Sequence, residues 1–219
     1  MPKLPLFPLN TVLFPGNSLS LHVFEDRYKL MIGRCIEANQ PFGVVLIKRG
    51  AEVMTVGSTV EPYFVGCTAQ ITQAQALGGG RMNITTVGLE RFQIVALQRD
   101  QPYLTGEFEL FPLKIDQPEA IRRSARLLRP WVKRYLNLLE QTEKIPFETK
   151  RLPQDSLALA YNAAALLKTS PMQQQELLAA PDALHLVESV YALYRKEVTL
   201  LKAILLHPRS EHESRFSLN

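Results

Sequence analysis

Cysteine and histidine are among the side chains of this 219-residue chain that could serve as nucleophiles, general bases or metal ligands. The two cysteines, Cys35 and Cys67, are far apart, and no two of the four histidines are spaced i, i+4. The sequence therefore offers no local ligand set for a tetrahedral zinc ion. Cys35 and His22 could still meet across space, but Cys35 belongs to the apolar face of a predicted helix, where thiols are usually inert. We expect no metal site, no cofactor and no enzymatic activity.

Glycine motifs that bind nucleotides or present a nucleophilic serine are also missing. A phosphate-binding loop needs a lysine directly after glycine, and no lysine of this chain follows a glycine. A nucleophile elbow needs a serine between flanking glycines, and no serine has that context. The run Gly78-Gly79-Gly80-Arg81 could hold a phosphate with its backbone amides, but such a run more often forms a hairpin tip.

The basic residues are unevenly distributed. Residues 1–117 contain ten basic and ten acidic side chains, so the net charge of +4 belongs entirely to residues 118–219. One stripe on a predicted helix follows i, i+4, i+7 and i+11: Arg122, Arg126, Arg129 and Lys133. We interpret it as a solvated helix face; the alternatives are contact with an acidic partner protein or with a nucleic-acid backbone.

Up to about residue 117 the pattern is that of short strands and turns. Leu19–Val23 alternates apolar and polar residues, and further strands are predicted at 42–47, 67–72, 82–87, 92–97 and 104–111. The segment from Glu25 to Ala38 changes to three- and four-residue spacing, which predicts a helix that ends before Pro41. The expected fold class is α+β, with a small barrel or folded sheet and one helix in the first lobe.

After Pro118 the pattern becomes helical. A long helix is predicted from Glu119 to Gln141, with a kink at Pro130. The last helix has an apolar heptad pattern that ends near His207, and we interpret it as core packing of an antiparallel bundle rather than an intermolecular coiled coil. Two intervening helices are expected to begin at capping residues: Asp155 or Ser156, and Ser170-Pro171. The predicted boundaries are 1–117 for the β-rich lobe, 118–207 for the helical lobe and 208–219 for a polar tail.

The composition is that of a globular protein, with 46% hydrophobic and 21% charged residues. The opening eight residues are too short and too rich in proline for a signal peptide, and no run approaches 18 apolar residues. Two isolated cysteines without a signal peptide indicate reduced thiols. We therefore expect a cytoplasmic protein that does not enter the membrane.

Short motifs occur in the order in which a known family carries them. In the first lobe they are Leu4–Leu9 (LPLFPL), Val12–Gly16 (VLFPG), Leu21–Tyr28 (LHVFEDRY), Val56-Gly57 and Val87–Phe92 (VGLERF). In the helical half they are Asp155–Ala158 (DSLA) and Gln175–Leu178 (QELL). Together they resemble the amino-terminal, substrate-binding domain of Lon proteases, in which the glycine-leucine-x-arginine part of VGLERF is a turn.

This resemblance implies a β-barrel-like lobe related to the PUA-like fold, followed by a helical lobe, and a role in recognising polypeptide substrates. The ATPase and protease domains of Lon are not in this sequence, so we expect a stand-alone domain that serves as an adaptor or regulator of proteolysis. Where the family usually carries an arginine before a leucine near the start of the last helix, this chain has His185.

The expected peptide-binding surface consists of aromatic side chains: Tyr63, Phe64, Trp131 and Tyr135. Its expected occupants are unfolded or exposed polypeptide segments, and a protease is a further expected partner. The alternative function is RNA binding, which would use the PUA-like lobe and the basic stripe, although fold analogy alone is a weak warrant. The oligomeric state is left open.

Overall fold

The structure is a computed structural model that describes residues 2–52, 60–143 and 152–206. Its strands are β1 (Lys3–Leu9), β2 (Ser18–Val23), β3 (Phe42–Arg49), β4 (Glu61–Pro62), β5 (Val65–Ala76), β6 (Met82–Gln98) and β7 (Thr105–Leu110). Its helices are α1 (Asp26–Ala38), α2 (Pro118–Glu143), α3 (Ser156–Leu166), α4 (Pro171–Leu178) and α5 (Ala183–Leu206). The predicted tail and the Val56-Gly57 motif lie outside the described residues.

The seven strands form one mixed sheet. The order along the sheet is β1-β7-β6-β5-β3-β4, and β2 pairs with β6 beside this path. β1 also pairs in parallel with β3, from Leu6 opposite Gly43 to Leu9 opposite Leu46. The strand pairing therefore forms a closed ring in the order β1-β7-β6-β5-β3-β1.

The longest strand, β6, changes its partner halfway along its length. Residues Met82–Val87 pair with β2, whereas Phe92–Gln98 pair with β7, and β5 follows β6 on its other side. The predicted turn at Gly88–Arg91 is wrong, because these residues continue the strand between its two partners. Glycine is needed here for close packing rather than for a turn.

Gly88 allows two backbone segments to touch. A Cβ at this position would lie 2.4 Å from the carbonyl oxygen of Phe14 and 3.0 Å from Cys67 Sγ. The Gly16 amide donates to the Gly88 carbonyl at 2.8 Å, and the Gly88 amide donates to the Asn17 carbonyl at 2.9 Å. The loop that precedes β2 is thereby fixed against the middle of β6.

Helix α1 covers one face of the sheet and matches the prediction closely. On its predicted apolar face, Ile36 is exposed, and the other four residues are buried: Tyr28, Met31, Ile32 and Cys35. The helix ends in a left-handed Asn39 with φ 48°, whose amide donates to the Ile36 carbonyl while the Gln40 amide donates to the Cys35 carbonyl. Asn39 therefore closes the last turn before Pro41 is reached.

The helical lobe begins at Pro118, and its capping residues are those that the sequence indicates. The Asp155 carboxylate accepts from the amides of Leu157 and Ala158, and Ser170 Oγ accepts from the Gln173 amide. Helix α2 continues through Pro130, which lies on its exposed side.

The two long helices run in the same direction. A parallel bridge between Lys114 and Asp182 places their starts side by side, and the Ala183 amide donates to the Lys114 carbonyl at 3.0 Å. Further along, the ring of Tyr135 lies 5.2 Å from that of Tyr194. The predicted antiparallel arrangement is therefore wrong for α2 and α5, since the chain returns through α3 and α4 before α5 begins.

Phe14, Arg91 and Gln175 each help to join the sheet to the helical lobe. Phe14 leaves the loop before β2 and is fully buried in the helical core. The Arg91 guanidinium donates to the Ala180 carbonyl at 3.0 Å, and Gln175 Nε2 donates to the Val65 carbonyl at 2.9 Å. Within the described residues, no helix is long and apolar enough to span a membrane.

Replacement of Gly88 by alanine should lower the free energy of unfolding by about 2–3 kcal/mol, because the added methyl group overlaps a backbone carbonyl. The matched control is Gly33→Ala in α1, where a Cβ meets nothing within 4 Å. That change should raise the free energy of unfolding by about 0.5–1 kcal/mol, since alanine favours the helix. Urea denaturation followed by circular dichroism measures both; equal effects at the two positions would contradict the packing argument.

The cysteines provide a second test, because both are buried in the core of the sheet lobe. Burial raises the pKa of Cys35 to about 11 and that of Cys67 to about 12, since a thiolate is poorly solvated there. At pH 8 both groups are thiols, and the folded protein should scarcely react with Ellman's reagent, whereas urea should release two reactive thiols. Rapid reaction of either cysteine in the folded state would contradict the burial of the two thiols.

Candidate functional site

A groove of about 300 Å³ lies between β2 and the end of β1, and we call it the β2 groove. Its apolar lining includes side chains of β1, β2, the connection between β2 and α1, and α1 itself: Phe7, Leu9, Leu19, Leu21, Phe24 and Tyr28. Phe7 and Tyr28 meet edge to face with ring centres 4.0 Å apart, which gives the groove a firm floor. Phe24 lies at the rim of the groove, and its exposed fraction is 49%.

One edge of β2 faces no other strand of the described structure. β2 pairs with β6 from Ser18 opposite Val87 to Val23 opposite Met82, and no described residue pairs with its other edge. Side chains alternate along the strand, so that Leu19 and Leu21 are half-buried while Ser20 is exposed. An unpaired strand edge next to apolar side chains is a template for an added extended chain.

Arg27 holds one wall of the groove in place. Its Nε lies 3.0 Å from Glu25 Oε2, its Nη2 donates to the Glu52 carbonyl at 2.8 Å, and its guanidinium carbon lies 4.2 Å from the centre of the Tyr28 ring. Burial raises the pKa of Tyr28 to about 12, and the nearby Arg27 opposes that shift. The hydroxyl of Tyr28 therefore stays protonated at neutral pH.

Two sequence motifs contribute residues to this groove, although the types of residue in them do not predict a site. The motifs LPLFPL and LHVFEDRY, which carry the family resemblance, contribute Phe7–Leu9 and Leu21–Glu25 to its lining. Neither motif contains catalytic residue types in a recognisable spacing, so the sequence alone indicates the family from them but not a site.

The four aromatic residues expected to bind peptide do not form one surface. Tyr63 and Phe64 lie between β4 and β5, where Phe64 is 48% exposed, whereas Trp131 is half-buried on α2 against Tyr191 of α5. Tyr135 is 1% exposed, and its hydroxyl accepts from the Lys168 amide at 3.0 Å. Tyr135 is thus a core residue, and its expected surface role is wrong.

The basic stripe on α2 is partly occupied by contacts within the protein. Arg129 donates to the carbonyls of Leu152 and Pro153, which ties the segment before α3 to α2. Arg122 forms an ion pair with Glu119 one turn earlier. Arg126 and Lys133 are exposed and have no side-chain partner among the described residues.

No described group of residues has the arrangement of a catalytic or metal site. His22 is exposed, and its Nδ1 lies 2.7 Å from Asn83 Oδ1, whereas Cys35 faces the core on α1. The residues that the structure describes contain no cluster of three or more potential metal ligands. The glycine turn is the tip of the β5–β6 hairpin, where its carbonyls accept from Arg81 and Lys29.

This chain is similar in sequence to part of several Lon proteases. A Lon protease of Anaeromyxobacter dehalogenans is 33% identical over 107 residues, which cover 48% of this chain and 12% of that protein. Lon protease 1 of Hydrogenovibrio crunogenus is 23% identical over 198 residues, covering 89% of this chain and 24% of that protein. The chain thus spans at most about a quarter of the length of these relatives.

Solved structures match over nearly their whole length. A Lon N-terminal domain protein from Xanthomonas campestris is 25% identical with a TM-score of 0.60, over 88% of this chain and 98% of that one. The N-terminal domain of a Mycobacterium avium complex Lon protease has a TM-score of 0.63 at 19% identity, over 89% of this chain and 98% of that one, which supports the fold alone. The family model of the ATP-dependent protease La (LON) substrate-binding domain matches residues 3–196. The chain therefore belongs to the Lon substrate-binding domain family and has the Lon N-terminal domain fold.

Proposed function

We propose that this protein recognises polypeptide substrates by binding an extended, apolar segment along the β2 groove. The observation that carries the proposal is the unpaired edge of β2 beside an apolar groove of about 300 Å³. The family supplies the class of ligand, because its model describes a substrate-binding domain of a protease. The protein's own residues perform no chemistry in this proposal.

The edge and the groove would act together on an extended chain. Main-chain hydrogen bonds to β2 hold the backbone whatever its sequence, while apolar side chains on one face of the added strand enter between Leu19, Leu21 and Phe24. This combination favours apolar segments without demanding a fixed sequence, as recognition of unfolded protein requires. We further propose that the protein acts as an adaptor or regulator of proteolysis, and that its cyclic strand pairing represents a PUA-like barrel.

Replacing Phe24 with aspartate should weaken binding of an unfolded peptide by about tenfold, because the change puts a charge at the apolar rim of the groove. The probe is a fluorescein-labelled peptide of alternating valine and serine, and the readout is fluorescence anisotropy. The matched control is Phe64→Asp, which introduces the same charge at an equally exposed phenylalanine, 48% against 49%. A second probe with every other amide N-methylated should bind weakly to the unmodified protein, since it cannot pair with β2.

Three results would overturn the proposal. Retained affinity in Phe24→Asp would remove the groove from peptide binding. Loss in Phe64→Asp alone would move the site to the Tyr63–Phe64 segment, where the sequence analysis expected it. Equal binding of the methylated and unmethylated peptides would exclude pairing to a strand edge.

Ionic strength separates this function from the RNA alternative. Among the described residues, Arg126 and Lys133 are the two members of the stripe whose side chains form no hydrogen bond or ion pair, so about two phosphate contacts would give a slope of log K against log salt near −1.4. Peptide binding should vary little with salt, because apolar burial is not screened. Anisotropy titrations with labelled single-stranded RNA and with the peptide measure both slopes. Tight RNA binding with a slope near −1.4 or steeper, combined with absent peptide binding, would favour RNA binding as the function.

A further inference from the structure

A second groove lies in the helical lobe, between α2 and α5. It has a volume of about 420 Å³, we call it the α2–α5 groove, and its lining comes from both helices: Trp131, Ala192, Arg195, Lys196, Thr199 and Leu200. Trp131 is half-buried and meets Tyr191 edge to face, with ring centres 6.5 Å apart. One side of the indole is therefore fixed by the protein while the groove remains open.

Three cations surround this aromatic floor. The Arg134 guanidinium carbon lies 5.2 Å from the centre of the Trp131 ring, and that of Arg195 lies 5.7 Å from the Tyr191 ring. Lys196 lines the groove beside Arg195. None of the three cations forms an ion pair with a carboxylate in the part of the chain that the structure describes. Their charge is thus available to a partner.

Apolar side chains extend the groove in both directions. Leu127, one helical turn before Trp131, is 52% exposed, and Leu200 and Ile204, one turn apart on α5, are 48% and 64% exposed. Leu127 and Trp131 are four residues apart on α2, Trp131 and Leu200 line the same groove, and Ile204 follows Leu200 by four residues on α5, so we infer an apolar strip along the groove with cations beside it. Such a strip is unusual for a solvated surface, on which large apolar residues are normally scattered.

We propose that the α2–α5 groove binds an acidic polypeptide segment that inserts an apolar or aromatic anchor beside Trp131. Charge complementarity defines the partner: carboxylates on the segment meet Arg134, Arg195 and Lys196, while its anchor covers the strip. A nucleic acid fits less well, because Leu127, Leu200 and Ile204 offer nothing to phosphates, and Arg134 already lies over the indole that a base would need for stacking. This site is separate from the β2 groove and does not rest on the function proposed for it.

Trp131 provides the measurement, because it is the protein's single tryptophan. The probe is a tryptophan-free peptide in which Phe-Leu is flanked by glutamates on both sides. Its addition should change the emission of Trp131 saturably. In the double variant Arg195→Glu, Lys196→Glu the affinity should fall on the order of tenfold, because two attractive charge contacts become repulsive. Replacement of Phe-Leu by Ala-Ala in the peptide should also weaken binding, since the anchor is lost.

The matched control is Arg126→Glu with Lys133→Glu, which makes the same change in net charge at exposed positions of α2 that do not line the groove. It should change the affinity less than twofold, since separated exposed charges are screened. Three results would overturn the proposal: unchanged Trp131 emission, equal weakening in the two double variants, or undiminished binding of the Ala-Ala peptide. Tighter binding of a uridine oligonucleotide, with displacement of the peptide, would reassign the groove to nucleic acid.

Discussion

The contact between two backbones at Gly88 is the constraint on which both lobes depend. It fixes the loop that runs from Leu13 to Asn17 against β6 through a pair of hydrogen bonds, at 2.8 and 2.9 Å. One end of this loop leads into β2, whose free edge lies beside the β2 groove. Within the same loop, Phe14 enters the core of the helical lobe. Displacement of the loop would therefore disturb the groove and the docking of the lobes together.

Arg91, three residues further along β6, shows how the lobes are joined at some energetic cost. Its guanidinium is buried without a carboxylate, and burial lowers its pKa, an effect that the neighbouring Tyr161 opposes. The group is held by the Ala180 carbonyl and by the Phe111 ring, whose centre lies 4.6 Å from the guanidinium carbon. Since buried charges are costly and hydrogen bonds to them are directional, this arrangement contributes more to the geometry of docking than to stability. The motif VGLERF thus fixes the loop at Gly88 and the helical lobe at Arg91.

The sequence predicts features that depend on local chemistry and misses those that depend on distant partners. Alternation and short apolar runs predict β2, β3, β5, β6 and β7 but miss β1 and β4, and Asp155 and Ser170 cap their helices as their side chains predict. The family resemblance predicts a turn at Gly88, but a close packing contact also requires glycine, and the structure uses Gly88 for that contact within a continuous strand. Trp131 and Tyr135 lie one turn apart on the same helix, so periodicity could not tell that one lines a groove while the other is core. The shared direction of α2 and α5 follows from the path through α3 and α4, which no heptad pattern encodes.

The two grooves differ in whether the cations near them are paired with carboxylates. This difference follows from the distribution of charge along the chain. On α1, beside the β2 groove, Arg27 is paired with Glu25 and Lys29 with Asp26. In the helical lobe, which carries the excess of four positive charges, the cations around Trp131 have no such partners among the described residues. Since paired charges offer little to a ligand, the β2 groove would, under the proposed function, select by main-chain pairing and apolar contact. The α2–α5 groove adds a requirement for carboxylates, so a polypeptide that satisfies one groove need not satisfy the other.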